Sequence, residues 1–175
     1  MQLKVPFSEI PEQGIEGEVT DSSWFPEDRM EQSGPATVHI RLSKKNENRI
    51  EVRGNLHVGV VLECDRCLER FVYQVDSPMQ LIVEVTSGDE HWRLQNMELV
   101  EEELEIVSQE KPIIDLVDIL RQQLYLSLPG KKLCTEQCAG LCPQCGNNLN
   151  KSDCGCTLKT TGSPFAVLKK LKKKN

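Results

Sequence analysis

Aromatic residues are scarce in this sequence. Two Trp, two Tyr and four Phe make up 5% of 175 residues, so a core must be built from aliphatic side chains and stays modest in size. No apolar run reaches the roughly 18–20 residues that a membrane-spanning helix needs. The opening Met1-Gln2-Leu3-Lys4-Val5-Pro6 carries no apolar stretch with a cleavage site behind it, so no signal peptide is expected. Collagen-like, coiled-coil and mucin-like compositions are absent. Also missing are the phosphate-binding GxxxxGK(S/T) loop, HExxH, GxSxG and the Rossmann glycine pattern. Of three histidines, His39 and His57 fall in strand-like stretches and His91 in a polar one; ordinary strand or surface roles are expected for all three. Nothing resembles a nucleophile–base pair, so no enzymatic activity and no small-molecule substrate are expected.

The net charge of −6 hides an asymmetry. Residues 131–175 hold nine Lys against Glu136 and Asp153, a formal +7, which leaves −13 for residues 1–130. The C-terminal quarter is suited to a polyanion and the remainder repels one.

Residues 1–35 are poorly periodic and punctuated by Pro and Gly, with a short strand expected over 15–19 and Trp24-Phe25 packing onto a sheet. From Ala36 an alternating pattern appears, over 37–42 and again over 49–60, with a polar turn at 43–48. Gly54 and Gly59 leave room for a bulge or bend. Residues 71–75 and 79–85 read as two further strands, separated by Ser77-Pro78. Residues 86–111 are polar and acidic, a solvated loop with a short strand at its end. Pro112 suits the first turn of a helix. Ile113, Leu116, Val117, Leu120, Leu124 and Leu128 follow at helical spacing until Pro129-Gly130. Asp115 and Asp118 fall in the early turns, where the helix dipole favours acids. The expected architecture is α+β: an acidic antiparallel β-sheet domain over 1–130, covered by an amphipathic helix at 112–128. A cysteine-rich zinc-knuckle module at 131–160 and a basic helix or tail at 161–175 follow.

Eight cysteines give the clearest chemistry. Without a secretory signal the expected compartment is the cytosol, where thiols stay reduced and close spacings read as metal ligation. The spacings are Cys64-x2-Cys67, Cys134-x3-Cys138, Cys142-x2-Cys145 and Cys154-x-Cys156. A C-x2-C turn aims backbone amides at sulfur and favours thiolates, the form zinc takes. Cys142-Pro143-Gln144-Cys145-Gly146 and Cys154-Gly155-Cys156 are local enough to form one site; Pro143 fixes the turn and Gly146 permits a left-handed residue after the second sulfur. Cys64, Cys67, Cys134 and Cys138 then pair across the chain, because loop closure grows only logarithmically with length and structural zinc offsets it. Two structural zinc ions are expected, the second stapling the C-terminal module to the sheet. The competing partition is one site from Cys134, Cys138, Cys142 and Cys145, with Cys64 and Cys67 free. A redox pair at Cys64 and Cys67 fits less well, since strands flank it on both sides rather than a strand and a helix. An iron–sulfur cluster remains an alternative. Catalytic zinc requires an open position that two sets of four cysteines do not leave.

The chain closes on Ser163-Pro164, a good N-cap and first helical residue, with Phe165, Leu168 and Leu171 as an apolar stripe. Five of the six residues 169–174 are lysine. The plain reading is a short docking helix with a solvated end. The functional one makes Lys159, Lys169, Lys170, Lys172, Lys173 and Lys174 phosphate-backbone contacts, which give affinity and salt dependence rather than sequence choice. There is no aromatic ladder to stack single-stranded bases.

At this point a family resemblance enters. Cys64-Asp65-Arg66-Cys67-Leu68-Glu69-Arg70-Phe71 resembles the CxRC motif of the large ribosomal RNA subunit accumulation protein family, also called YceD-like. Ile114-Asp115-Leu116, the run into Leu126-Ser127-Leu128-Pro129, the cysteine-rich stretch 134–150 and Pro164-Phe165-Ala166-Val167-Leu168 are similar to family members in the same order. The resemblance covers residue 36 to the end. It implies a bacterial cytoplasmic protein acting in accumulation or processing of large-subunit (23S) ribosomal RNA, with that RNA or a pre-ribosomal particle as partner. It supplies no catalytic residues. Two classes of function follow as expectations. One is a non-catalytic RNA-binding biogenesis factor without a membrane association. The other is a protein-interaction adaptor whose acidic residues 98–110 face a ribosomal protein or a nuclease.

Overall fold

The computed structural model describes residues 2–86 and 106–156. They divide into two compact units. One joins Met1–Leu62 to Phe71–Gly130; the other joins Glu63–Arg70 to the segment that begins at Lys131. The second unit is discontinuous in sequence, so the loop at 63–70 belongs with the cysteine-rich segment although its composition follows the acidic part.

The first unit contains β1 (Lys4–Pro6), a 3-10 turn (Phe7–Glu9), β2 (Ile15–Val19), β3 (Glu31–Lys44), β4 (Arg49–Glu63), β5 (Arg70–Val85), β6 (Ile106–Gln109), β7 (Ile113–Asp115) and α1 (Leu116–Ser127). The main sheet has the order β2-β3-β4-β5-β6, and β1 pairs with β7 in a separate ribbon. Alternation builds the core. Val38, Ile40 and Leu42 on β3, Ile50, Val52, Leu56, Val58, Val60 and Leu62 on β4, and Val75, Met79, Leu81 and Val83 on β5 are all buried. Each inward branched or long aliphatic side chain contributes roughly 1.5–3 kcal/mol. Trp24 and Phe25 are buried in the same core, their rings meeting edge to face at 5.8 Å. His39 and His57 point outward on β3 and β4.

Four features differ from the pattern read in the sequence. First, β3 begins at Glu31 rather than Ala36. It passes through a register shift between Ser33 and Thr37, where Gly34 takes φ 79° ahead of Pro35; a bulge tolerates both residues. Second, β5 runs unbroken through Ser77-Pro78. Its buried residues stay on odd numbers on both sides of that pair, and β6 pairs only with Ile82–Val85, so at Pro78 the strand lacks its β6 neighbour, a position proline accepts. Third, β6 lies parallel to β5, so the sheet is mixed. β1 with β7, β2 with β3 and β3 with β4 pair antiparallel, and β4 and β5 run antiparallel as well: Val85 N–H bonds Asn48 O at one end while Cys64 N–H bonds Glu69 O at the other.

Fourth, the helix starts later than Pro112. Ile113–Asp115 extends along Lys4–Pro6, and Phe7 N–H donates to Pro112 O at 2.9 Å. Asp115 is the N-cap rather than an early-turn acid, accepting from Val117 N–H at 3.1 Å. From there Leu116, Ile119, Leu120 and Leu124 turn one stripe inward. Arg121 Nε donates to Trp24 O at 2.7 Å, and Gln123 Nε2 to Ser77 Oγ at 2.8 Å. The helix is thereby tied both to the loop before β3 and to the middle of β5.

Candidate metal centres

The second unit brings the cysteines together in two groups of four. Cys64 and Cys67 come from the loop between β4 and β5, and Cys134 and Cys138 from the segment after α1. Cys142, Cys145, Cys154 and Cys156 form the other group. Within each group the four sulfurs lie within 4.8 Å of one another. Cys64 Sγ is 3.8 Å from Cys138 Sγ, and Cys67 Sγ is 3.7 Å from Cys134 Sγ. Four thiolates about 2.3 Å from one tetrahedral ion sit roughly 3.8 Å from each other, so this donor set fits a single ion. A disulfide would hold its sulfurs at about 2.05 Å, and all eight cysteines are free. A multi-iron cluster places cluster atoms between its cysteines and spreads them wider than this. The grouping that joins Cys134 and Cys138 to Cys142 and Cys145 is not formed.

Both C-x2-C segments fold by one rule. Cys64 N–H donates to Glu69 O and Leu68 N–H to Cys64 O, each at 2.9 Å; Cys142 N–H donates to Asn147 O and Gly146 N–H to Cys142 O, each at 2.8 Å. In each loop the residue after the second cysteine is left-handed, Gly146 at φ 74° and Leu68 at φ 59°. Glycine adopts this conformation freely, whereas leucine does so at a cost.

These closed turns aim amides at sulfur. Burial works against ionisation of Cys64, but the backbone N–H groups of Cys134, Cys67 and Arg66 outweigh it and bring its thiol down to about 6. The amides of Cys145 and Gln144, with the Cys154 thiol, bring Cys142 down to about 6. Cys67, Cys134, Cys154 and Cys156 go the other way. At Cys67 the Glu69 amide favours the thiolate, but burial and the neighbouring thiols push it up to about 12. Cys154 and Cys145 push Cys156 up to about 12. Burial, followed by the Cys138 thiol, raises Cys134. The Cys156 amide works to lower Cys154, but the Cys142 thiol and burial raise it. One thiolate forms readily in each group and further ones repel it, so a cation among the four sulfurs would offset part of that repulsion, and each group could hold one.

The first group is held by bonds between the loop and the C-terminal segment of its own unit. Asp65 N–H donates to Lys132 O at 2.8 Å, and Lys132 N–H returns to Asp65 Oδ2 at 2.7 Å. The Arg66 guanidinium donates to Cys138 O at 2.8 Å and to Glu136 O at 3.4 Å. Leu141 N–H donates to Arg66 O at 3.1 Å. Gly140, at φ 76°, has no room for a side chain without crowding that same carbonyl, 3.0 Å from where a Cβ would stand. Lys151 pairs with Glu69. Asn150 Nδ2 donates to Cys138 Sγ at 3.2 Å while its Oδ1 accepts from Ala139 N–H at 2.8 Å. Asp65, Arg66 and Asn150 were not singled out by spacing. The Arg inside the C-x-R-C motif was the one available sign. The candidate phosphate contacts Lys159, Lys169, Lys170, Lys172, Lys173 and Lys174 lie outside the described residues, as do His91 and most of the acidic stretch at 98–110. Among the described residues no helix is long and apolar enough to cross a membrane.

Comparison with known proteins adds the following. Residues 52–172 match the family model described as large ribosomal RNA subunit accumulation protein YceD. Uncharacterized proteins of Mycobacterium bovis and of two Mycobacterium tuberculosis strains are 31% identical over 129 residues, covering 67% of this chain and 53% of theirs. The chain thus spans about half the length of the curated relatives it matches. No solved structure matches it. With its CxRC loop and both cysteine groups inside the matched span, the chain belongs to the large ribosomal RNA subunit accumulation protein family.

Proposed function

We propose that the protein is a non-catalytic, cytoplasmic ribosome-biogenesis factor. It supports accumulation of large-subunit ribosomal RNA by binding that RNA or a pre-ribosomal particle, and two structural zinc ions hold its second unit. The observation that carries the reading is the family match, which runs unbroken through both cysteine groups to residue 172. Zinc suits the donor chemistry: four sulfurs per site complete a tetrahedron and leave no position for substrate or water. When bound, the ions supply cross-links and no reaction step. Cys64, Cys67, Cys134 and Cys138 hold one, and Cys142, Cys145, Cys154 and Cys156 the other.

The formal +7 of residues 131–175 supports RNA as the partner. Lysines are point charges that bind phosphate by releasing counterions, so affinity falls steeply with salt. The test is binding of the full chain to large-subunit RNA across a salt series, beside a chain lacking residues 169–174. A shallower salt slope in the truncated chain is expected. Equal binding at every salt concentration refutes the lysine contact. Capture from nuclease-treated lysate checks the partner class: loss of the large-subunit components supports RNA, and retention of a ribosomal protein or nuclease favours an adaptor instead. Elemental analysis of protein purified reduced and without chelator should find about two zinc per chain.

A further inference from the structure

The two cysteine groups share a sulfur geometry and differ in everything around it. In the first, Cys64, Cys67 and Cys138 are buried and Cys134 is half-buried. In the second, only Cys142 is buried; Cys154 is half-buried, and Cys145 and Cys156 are exposed. Anchoring differs too. The first group is crossed by the Asp65–Lys132 pair of bonds, the Arg66 guanidinium and the Leu141 amide. In the second, the segment 153–156 is held back at Ser152, which accepts from Asn147 Nδ2 and donates its N–H to Asn148 O. Beyond it, Gly155 N–H turns back to Asp153 Oδ1 within the same four residues. Among the described residues, then, Cys154 and Cys156 are fastened to Cys142 and Cys145 chiefly by whatever their sulfurs share.

We propose that the exposed group is an oxidisable, releasing metal site, and that the buried group is a permanent one. Hydrogen peroxide reaches Cys145 or Cys156 without unfolding the unit and does not reach Cys64 or Cys67. A thiolate sulfur attacks one peroxide oxygen; an S–O bond forms, the O–O bond breaks and hydroxide leaves. A second thiolate of the group, already within 4.8 Å, attacks that sulfur. The S–S bond forms, the S–O bond breaks and a second hydroxide leaves. Two sulfurs are together oxidised by two electrons, and the peroxide becomes two waters after taking two protons from solvent. The ion, left with two thiolates, is lost to water, and 153–156 is no longer fastened. Reduction by a dithiol returns both thiolates and the site refills. This rests on the metal reading above but not on RNA binding.

The experiment uses the full-length, reduced, zinc-loaded protein. Its metal content is measured first; fewer than two equivalents overturns the two-ion reading and this proposal together. Peroxide is then added with a zinc indicator present, and cysteines are mapped by alkylation and mass spectrometry. One equivalent should leave at least about tenfold faster than the other, as exposure of the thiolates dictates. The new disulfide should fall among Cys142, Cys145, Cys154 and Cys156, and dithiothreitol with zinc should reverse it. Simultaneous loss of both ions, first oxidation at Cys64, Cys67, Cys134 or Cys138, or retention of both ions overturns the proposal with the two-ion reading intact. In Cys156→Ser the rapidly released equivalent should vanish while the slow one stays. Rapid release at the wild-type rate from that variant refutes it.

Discussion

Replacing Arg66 with alanine should loosen the buried metal site without touching a ligand. Arg66 donates from its guanidinium to Cys138 O at 2.8 Å and to Glu136 O at 3.4 Å. The shorter bond carries most of the effect, since hydrogen bonding weakens sharply toward the longer distance. A charge-assisted bond to a carbonyl contributes about 1.5–3 kcal/mol, and Arg66 is exposed, so the lower end applies. About 1.5 kcal/mol corresponds to roughly tenfold in an equilibrium constant, within the range found for groups that orient metal ligands. The assay is chelator competition on the full chain, reading the affinity of each site. Arg66→Ala should weaken the buried site by roughly tenfold and leave the exposed site unchanged. Arg66→Lys should recover part of the loss, because both carbonyls take their bond from one nitrogen, Nη1, and an ammonium also offers several donors on a single atom. Unchanged affinity at the buried site, or equal weakening at both, would refute the assignment of Arg66 as the group that positions Cys138.

Three further outcomes are expected. Gly140→Ala forces a left-handed φ of 76° on a residue with a Cβ and crowds the Arg66 carbonyl; it should destabilise the second unit by about 1–3 kcal/mol, read as earlier metal loss on heating, whereas Gly146→Ala meets no atom within 4 Å and should lose less. Leu120 is fully buried on α1, so Leu120→Ala should lower the stability of the first unit by about 2–5 kcal/mol, as a shift of the urea midpoint with unchanged slope. Burial opposes ionisation of Glu51, but Lys45 at 3.0 Å and Arg53 at 2.7 Å outweigh it and hold its carboxyl below the usual 4.5. A carboxylate lowered in the folded state stabilises above its unfolded value and loses that contribution as pH falls through the folded one. The wild-type first unit should therefore weaken more steeply than Glu51→Gln below about pH 4.5; parallel acid-unfolding curves would refute the role of that pair.

Much of the sheet was legible because side-chain alternation is local. The buried positions of β3 and β4 follow the period of two that the sequence displays over 37–42 and 49–60. The odd-numbered phase also persists from Val75 to Val83, and it was a better guide than Ser77-Pro78, whose break was expected from residue type alone. The helix start was misplaced for a related reason. Proline at a first helical turn and extended proline look alike in sequence, and what separates them is the partner strand Lys4–Pro6, more than a hundred residues away. The parallel pairing of β6 with β5 is likewise a partnership between separate segments that no short pattern encodes.

The cysteines divide along the same line. Cys142 to Cys156 lie within fifteen residues, and a chain that short can bring four sulfurs together only in a few ways, so their spacing favoured one site, while the alternative with Cys134 and Cys138 stayed open until the fold grouped the sulfurs. Gly146 marked its left-handed residue in advance. For Cys64 and Cys67 the spacing allowed them to be free or shared. Only the tertiary fold, which groups the 63–70 loop with the segment after Gly130, sets their sulfurs 3.8 and 3.7 Å from those of Cys138 and Cys134. Exposure was also beyond the sequence. Two groups of identical donors read the same in one dimension, and their difference in accessibility arises from what packs around each sulfur once the chain has folded.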